Sequence, residues 1–505
     1  MNTETNNRTI ARNTVYLYFR MLVTLVVSLY TSRVILTNLG VADFGIYNLV
    51  AGIIVLFSFI SVALRNSTQR FVSYELGIGD KGDPNRAFYM SIQCLFLIAV
   101  IIVVIAETIG LWFVFTKLDI PEARIPAVHW VYQISIVTFI VNLFQVPLHA
   151  TIIAYEKMSF FAYLGGTDVL LKLCVAFLIS VSSFDKLIVY AFLLFLVSFI
   201  GVVLAALYCR CFLGIGRFHI IKDKTLFLHM MNFSGWSMIN GGAVISAQQG
   251  GNIMLNVFSG VIANAAYGIA NQVTNAIYQF ISSFQSAFQP QIVKQYAAKN
   301  HEALYLLMNR ASVFSYYLLL IIVVPFAVSI EYILQLWLGQ VPEYAVGFCL
   351  LMLAYFLVDA LEAPLWMVIG ATGEMKVYSC WSATITVLNI PLSWMLLKNG
   401  YSVYWIFIIR AGLNYLCAII RPLYVRYLVK TFSLKRYATA LIRPLLVSII
   451  IGATLILFYA TSFVIHPILR IVIVFGYSIM IIWFLGLRQK EKSWVIALIS
   501  NKFKK

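Results

Sequence analysis

The sequence predicts an all-α integral membrane protein with about fourteen transmembrane helices, grouped into two six-helix bundles and two C-terminal helices. Of its 505 residues, 62% are hydrophobic and only 11% are charged, whereas soluble domains average about 45–50% apolar and about 25% charged residues. The apolar residues form runs of about 20, the length that crosses the hydrocarbon core of a bilayer. These observations exclude a water-soluble fold.

The predicted spans begin and end at charged residues or at turns rich in Gly, Pro and Asn. A helix that crosses the membrane satisfies all of its backbone hydrogen bonds internally, so each run is read as one helix. The fourteen spans are residues 14–36, 44–64, 87–115, 126–148, 161–181, 187–209, 230–257, 261–286, 311–338, 344–370, 378–397, 402–420, 444–464 and 471–487.

The distribution of Lys and Arg predicts the orientation of the chain. With the N-terminus inside, the cytoplasmic segments hold 27 of the 36 basic residues and the outside loops hold five. Basic residues are retained on the cytoplasmic side, so both termini are predicted to be cytoplasmic. This bias also explains most of the net charge of +17 without nucleic acid as a partner.

A weak internal repeat suggests two similar halves. Phe-Ile-Ser occurs at residues 59–61 and again at 280–282, each followed by a glutamine after ten or eleven residues from the phenylalanine. Tandem halves are common in transporters. The predicted organisation is a bundle at 1–209, a basic linker at 210–229, a second bundle at 230–420, a second linker at 421–443, and two helices with a basic tail at 444–505.

The loops are too short to hold a catalytic domain. The longest outside loop, 116–125, has ten residues and the longest inside loop, 287–310, has twenty-four. The sequence contains no P-loop for ATP, and its seven cysteines form neither a zinc motif nor a disulfide framework. Neither an enzyme such as a glycosyltransferase nor an ATP-driven pump is therefore predicted, and no cofactor or metal is expected.

Four basic residues lie within the predicted spans and are candidates for an anion site. Each charge costs about 2.5–3.5 kcal/mol at a helix centre, so it should face protein or water. Arg20 lies on a polar stripe of the first helix. Arg33, near the outer end of this helix, lines the same space, extends to the membrane interface or pairs with Asp43. Lys172 shares a helix face with Asp168, four residues away, as a structural pair or as a base held ready for an anion. Arg410 is the only base within the spans of the second half.

The carboxylates within the spans are candidates for coupling transport to a proton or sodium ion. Asp359 and Glu362 share one face of the tenth helix, where they form an ion-coupling site, line a water-filled crevice or bond to Arg410. Glu107 in the third helix is a further candidate, and Asp168 is included because of its position beside Lys172. Ionisable residues inside a membrane commonly mark ion pathways.

Two neighbouring helices carry carboxamides at helical spacing. An amide both donates and accepts hydrogen bonds, which suits a neutral sugar, although such residues also hold helices together in bilayers. The sugar-facing candidates are Asn240, Gln248, Asn252, Asn271 and Asn275.

Several runs are similar to signatures of one membrane protein family. The resemblance extends over about residues 10 to 430. It is carried by residues 39–48 (LGVADFGIYN), 67–71 (STQRF), 106–113 (AETIGLWF), 130–133 (WVYQ), 154–158 (AYEKM), 233–236 (FSGW), 265–273 (AAYGIANQV) and 289–292 (QPQI). They resemble the Wzx-type O-antigen and polysaccharide flippases of the multidrug/oligosaccharidyl-lipid/polysaccharide (MOP) exporter superfamily, which also contains MATE transporters.

This resemblance implies two pseudo-symmetric bundles around a central cavity, alternating access and a bacterial inner-membrane location. The implied cargo is an undecaprenyl-pyrophosphate-linked oligosaccharide, moved from the cytoplasmic to the periplasmic leaflet and coupled to a proton or sodium ion. It also implies a cationic lumen, for which Arg20, Arg33 and Lys172 are the candidates. Membrane lipids, a polysaccharide polymerase and a chain-length regulator are the other expected partners.

Two other functions remain as alternatives. A drug or cation antiporter of the same superfamily would prefer acidic residues in the first half, whereas the first helix has two arginines and no carboxylate. An O-antigen polymerase or ligase would need a large outside loop with catalytic Arg or His, which a ten-residue maximum disfavours.

Overall fold

A computed structural model describes residues 58–117, 122–215, 220–338, 341–460, 466–489 and 491–493, together with single helical positions from Tyr16 to Tyr47. Its contacts divide the chain into two compact units, residues 12–241 and residues 242–505. The predicted all-α membrane fold is confirmed, because the described elements are helices, which form ten helical stretches long and apolar enough to cross a membrane.

The first unit is built from long helices joined by short turns. Two single turns, Gly79–Lys81 and Glu122–Arg124, and a wide π-type turn at Ala106–Gly110 interrupt the series. Its helices are α1 (Ser58–Ile78), α2 (Pro84–Ile105), α3 (Leu111–Lys117), α4 (Ile125–Ala154), α5 (Met158–Val181) and α6 (Lys186–Phe212).

Side-chain caps determine where two of these helices begin. The Asp83 carboxylate accepts a hydrogen bond from the backbone N–H of Arg86 at 3.0 Å, with Pro84 at the first helical position. The Asp185 carboxylate accepts from the backbone N–H of Leu187 at 2.9 Å. Such caps satisfy backbone donors that have no partner within the helix, and proline is favoured at the first helical position because it lacks the N–H.

The helix that follows, α7 (Lys224–Ala297), is broken at Gly260. The φ angle of this glycine is +70° and its ψ is −163°, a backbone conformation that glycine adopts without steric cost. The part before residue 242 packs into the first unit, where Met231 and Met238 contact a core that includes Leu64 and Leu143. The predicted spans 230–257 and 261–286 therefore meet at this glycine.

The second unit consists of the rest of α7 and the remaining helices. Asn300 caps the first of them, because its side chain accepts from the backbone N–H of Ala303 at 3.2 Å. The helices are α8 (His301–Val328), α9 (Ile330–Leu338), α10 (Ala345–Thr372), α11 (Met375–Val387), α12 (Asn389–Lys398), α13 (Trp405–Leu428), α14 (Leu434–Ala460) and α15 (Pro467–Ile481), which ends in a π-type turn at Ile482–Gly486.

Several helices extend beyond the apolar runs from which they were predicted. The helix α8 begins ten residues before the predicted start at 311, and α14 begins at Leu434 instead of 444, so that Pro444 lies inside a helix. The second predicted linker therefore contains helix at both ends. Much of the predicted spans 14–36 and 44–64 lies outside the described residues, so the total of fourteen and the division into domains stay predictions.

One arginine joins three segments of the first unit at the end that the charge distribution predicts to be outside. Arg124 contacts Asp43 and also donates to an Asp185 oxygen at 2.6 Å. The Asp43 side chain is only 10% exposed. The Lys186 ammonium donates to the Asn38 carbonyl at 3.4 Å. Two of the five basic residues predicted outside thus have an anionic or carbonyl partner close by.

Candidate functional site

One face of α5 in the first unit lies against the side chain of Arg20. Phe161, Gly165, Asp168 and Lys172 are spaced by four, three and four residues, which places them on the same side of a helix. The Arg20 side chain lies along this face, with its guanidinium carbon 4.3 Å from the centre of the Phe161 ring. A cation above an aromatic ring is attracted by the negative face of the ring.

Gly165 provides the space that Arg20 occupies. A Cβ atom at this position would lie 2.1 Å from the Arg20 Nε and 2.7 Å from its Cδ. At the neighbouring Gly166, by contrast, no atom lies within 4 Å of such a Cβ. The absence of a side chain at residue 165 is therefore required for the position of the guanidinium, and its absence at residue 166 is not.

Two further basic side chains belong to the same cluster. Arg65, on α1, acts electrostatically on Arg20, and both arginines act on His149 of α4. The His149 ring packs edge-on against Phe161, with ring centres 5.3 Å apart, and among the described residues its buried Nε2 has no hydrogen-bond partner. Arg20 and His149 thus contact the same aromatic ring, and we call these two residues and Arg65 the basic cluster.

Among the described residues, neither arginine of the basic cluster forms an ion pair with a carboxylate. In the part of the chain that the structure describes, no carboxylate oxygen lies within ion-pair distance of Arg20 or Arg65. Asp168 acts on Arg20 electrostatically, but its carboxylate accepts a hydrogen bond from the Lys172 ammonium at 2.8 Å. Lys172 therefore forms the pair that its spacing predicted, and the two side chains are 43% and 45% exposed.

The predicted pair of Arg33 and Asp43 lies only partly within the described residues. Arg33 lies outside them. Asp43 is described, and it contacts Arg124.

Glu107 lies in the π-type turn that interrupts the helix after Ile105. The Gln133 side-chain amide donates to the Glu107 carboxylate at 3.2 Å. The Tyr132 hydroxyl donates to the Ala106 carbonyl at 2.6 Å. Turns of this kind are frequent at functional sites, but this carboxylate is held by an amide and not by a base.

In the second unit, the two predicted carboxylates have different partners. Glu362 is buried, with a side chain 2% exposed, and one of its oxygens accepts from Arg421 at 2.7 Å. Asp359 accepts a hydrogen bond from the Tyr278 hydroxyl. The Arg410 guanidinium lies over the Tyr355 ring, 4.8 Å from its centre. The alternative in which Glu362 bonds to Arg410 is therefore wrong, since Arg421 fills that role.

The five carboxamides do not form one cluster within a unit. Asn240 lies in the first unit, and its Oδ1 is buried without a partner. The other four belong to the second unit. Gln248, Asn252 and Asn271 are partly buried, and Asn275 is exposed.

Three charged or titratable residues of these sites could not be predicted from the apolar runs, for a common reason. Arg65, His149 and Arg421 each lie one residue beyond the end of a predicted span, because a charged or polar residue ends an apolar run. In the structure all three lie inside helices, in α1, α4 and α13. Each of these helices continues past its apolar run, so extending the predicted spans beyond the apolar residues would have included Arg65, His149 and Arg421.

Comparisons with known proteins agree with this fold. A family model described as polysaccharide biosynthesis protein matches residues 10–296, and one described as MatE matches residues 244–395. No match to a curated protein was found.

Solved structures of transporters share the fold at low sequence identity. An outward-facing multidrug resistance MATE family transporter of the MOP superfamily has a TM-score of 0.68 and 14% identity, covering 87% of this chain and 99% of its own. MATE in the straight conformation has a TM-score of 0.66 and 14% identity, covering 85% and 100%. A MOP transporter from Pyrococcus furiosus Vc1 has a TM-score of 0.63 and 14% identity, covering 87% and 99%; the reverse polarity of its binding pocket is described as suggesting a different function.

The polysaccharide match covers more than half of the 505 residues, and the MatE match extends the agreement into the second unit. The protein therefore belongs to the polysaccharide biosynthesis protein family, within the MOP superfamily of multi-pass membrane transporters.

Proposed function

We propose that this protein is a lipid-linked oligosaccharide flippase. It moves undecaprenyl-pyrophosphate-linked repeat units of a polysaccharide from the cytoplasmic to the periplasmic leaflet of the inner membrane by alternating access. The observation that carries the proposal is the basic cluster, in which Arg20 and Arg65 lie close together without a carboxylate in ion-pair distance among the described residues.

A pyrophosphate suits this cluster chemically. Two like charges near each other repel, and an anion that binds both removes the repulsion. A guanidinium presents a planar fork of donors to phosphate oxygens. The Phe161 ring keeps Arg20 in place without neutralising it. Since no carboxylate among the described residues pairs with Arg20, its positive charge is available to an anion.

The partners of two carboxylates in the first unit, Asp168 and Glu107, disfavour the alternative function, a drug or cation antiporter. Such a protein needs an anionic group for its cationic cargo. Asp168 is paired with Lys172, and Glu107 accepts from Gln133. The first unit therefore offers a cation weaker attraction than it offers an anion.

The second unit is proposed to couple transport to an ion. Asp359 and Glu362 lie on one helix, and each acts electrostatically on Arg421. A carboxylate that exchanges Arg421 for a proton or a sodium ion would change the charge of this region by one unit. A polysaccharide polymerase and a chain-length regulator remain expected partners on the periplasmic side.

Transport measured in inverted membrane vesicles tests the proposal. Vesicles that contain the protein and a lipid-linked oligosaccharide should move the cargo to their lumen, and Arg20→Gln and Arg65→Gln should each lose most of this activity. Arg426→Gln is the matched control, because Arg426 is exposed on α13. Activity of Arg20→Gln and Arg65→Gln at the control rate would exclude the basic cluster as the pyrophosphate site, and drug efflux without lipid transport would favour the antiporter.

A further inference from the structure

A cavity in the second unit opens at the surface, and two of its lining residues lie on the helices that carry the buried Glu362–Arg421 pair. Its mouth is formed by exposed residues, including Glu302 and Thr431, and its inner wall by Val368 and Val425, which are 2% and 0% exposed. The mouth lies at the end of the unit that the distribution of Lys and Arg predicts to be cytoplasmic.

The inner wall is close to the ion pair along two helices. Val425 follows Arg421 by four residues on α13, so it lies on the same face about 6 Å further along the axis. Val368 follows Glu362 by six residues on α10, which corresponds to about 9 Å. The cavity therefore ends within one or two helical turns of both charged groups.

Tyr437 of α14 lies beside the cavity. Its ring centre is 5.7 Å from that of Phe432, which lines the cavity together with Tyr305, and the Phe432 and Tyr305 ring centres are 6.0 Å apart. Tyr437 acts electrostatically on both Glu362 and Arg421. Its hydroxyl makes no hydrogen bond among the residues that the structure describes.

The ion pair itself has unused hydrogen-bonding capacity. In the part of the chain that the structure describes, the buried atoms Oε1 of Glu362 and Nε of Arg421 have no hydrogen-bond partner. Leaving a buried polar group without a partner costs about 1–3 kcal/mol, and more for a charged group. Buried water commonly satisfies such groups in proteins. These two atoms, together with the Tyr437 hydroxyl, can hold water between the cavity and the carboxylate.

We propose that this cavity is the route by which water and protons reach Glu362 from the cytoplasmic side, with the Tyr437 hydroxyl as its innermost polar group. The proposal rests on the ion-coupling role of Glu362 in the proposed function. The titratable and charged groups around Glu362 are Asp359 and Tyr355 on its own helix, Tyr378 on α11, Cys417 and Arg421 on α13, and Tyr437 on α14.

Carbodiimide modification of Glu362 tests the route without a transport assay. The purified full-length protein is treated with a water-soluble carbodiimide, and the rates of modification at Glu362 and at the exposed reference carboxylate Asp80 are compared by mass spectrometry. Thr431→Trp narrows the mouth and Val425→Phe fills the inner end. The matched control for Val425→Phe is Val377→Phe, because Val377 is 59% exposed on the surface of α11.

We expect Thr431→Trp and Val425→Phe to lower the rate at Glu362 several-fold relative to Asp80, while Val377→Phe leaves the ratio unchanged. Tyr437→Phe should also lower it, with Tyr427→Phe, at a residue 77% exposed, as its control. Thr431→Trp alters only an exposed position, so it remains informative if Val425→Phe fails to fold.

Equal rates at Glu362 in Thr431→Trp and in the wild type would overturn the route. Modification does not depend on a cargo, so the route and the flippase function can fail separately. If Thr431→Trp and Val425→Phe lower the modification of Glu362 but the wild type does not transport lipid, the flippase function is refuted and the route is supported. Lipid transport with unaltered modification would refute the route alone.

Discussion

Adding one methyl group at Gly165 should displace the Arg20 side chain with little effect on the stability of the protein. In Gly165→Ala the new Cβ would lie 2.1 Å from the Arg20 Nε, so the guanidinium must leave the Phe161 ring. The obstacle is the flexible end of a side chain and not backbone, so the fold can accommodate it. The adjacent Gly166→Ala introduces the same methyl group into open space and is the matched control.

The free-energy changes can be worked out for both variants. Replacing glycine by alanine inside a helix stabilises the folded state by up to about 1 kcal/mol. In Gly165→Ala this gain is offset by the lost contact between Arg20 and Phe161, which contributes about 0.5–2 kcal/mol. The two variants should therefore unfold within a few degrees of the wild type in detergent.

Their effects on transport should differ strongly. A hydrogen bond to a charged group contributes about 1.5–3 kcal/mol, so a displaced Arg20 should weaken pyrophosphate binding by about 10- to 150-fold. Gly166→Ala should bind and transport like the wild type. The assay is transport of a lipid-linked oligosaccharide in vesicles at subsaturating cargo, with thermal unfolding of the same preparations. Equal transport by the two alanine variants, both well folded, would refute the role assigned to the Arg20 position.

Three further predictions concern ion pairs. Arg421→Gln leaves Glu362 buried without its base and should destabilise the protein by about 3–5 kcal/mol. The double variant with Glu362→Gln should recover most of the lost thermal stability. A double variant as unstable as Arg421→Gln would contradict the pairing of Glu362 with Arg421. Arg124→Gln should lower the unfolding temperature by an amount equivalent to about 1 kcal/mol, because Asp43 loses its partner, and an unchanged temperature would show that this bridge does not contribute. Hydrogen bonds from a threonine hydroxyl, a backbone N–H and an arginine lower the pKa of Asp223, so its contribution to stability is present above the ordinary aspartate pKa and disappears as the pH falls through the lowered value. The difference in unfolding temperature between the wild type and Asp223→Asn should therefore decrease as the pH falls toward the lowered pKa of Asp223. A difference that does not depend on pH would contradict this role of the Asp223 carboxylate.

The fold class and several helix positions could be predicted from the sequence because they depend on local composition. A run of about 20 apolar residues is stable across a bilayer as a helix, and the structure describes helices at Pro84–Ile105 and Lys186–Phe212 where such runs occur. The pair Lys172–Asp168 was predictable for the same reason, since both residues lie on one helix four positions apart.

The partners of the other charges depend on tertiary structure. Nothing in the local sequence indicates that Glu362 meets Arg421 and not Arg410, which are both on α13. The two arginines are eleven residues apart, about three helical turns, so their depth relative to α10 decides which of them reaches the carboxylate.

The sequence by itself determined that this chain is a helical membrane protein, and its motifs indicated the family to which it belongs. Only the tertiary structure decided which charges are compensated. Arg20, Arg65 and His149 come from distant parts of the chain, and Gly165 matters only because Arg20 lies over it. Hydrophobicity is a property of single segments, whereas charge compensation is a property of neighbours in space, and the packing of the helices determines those neighbours.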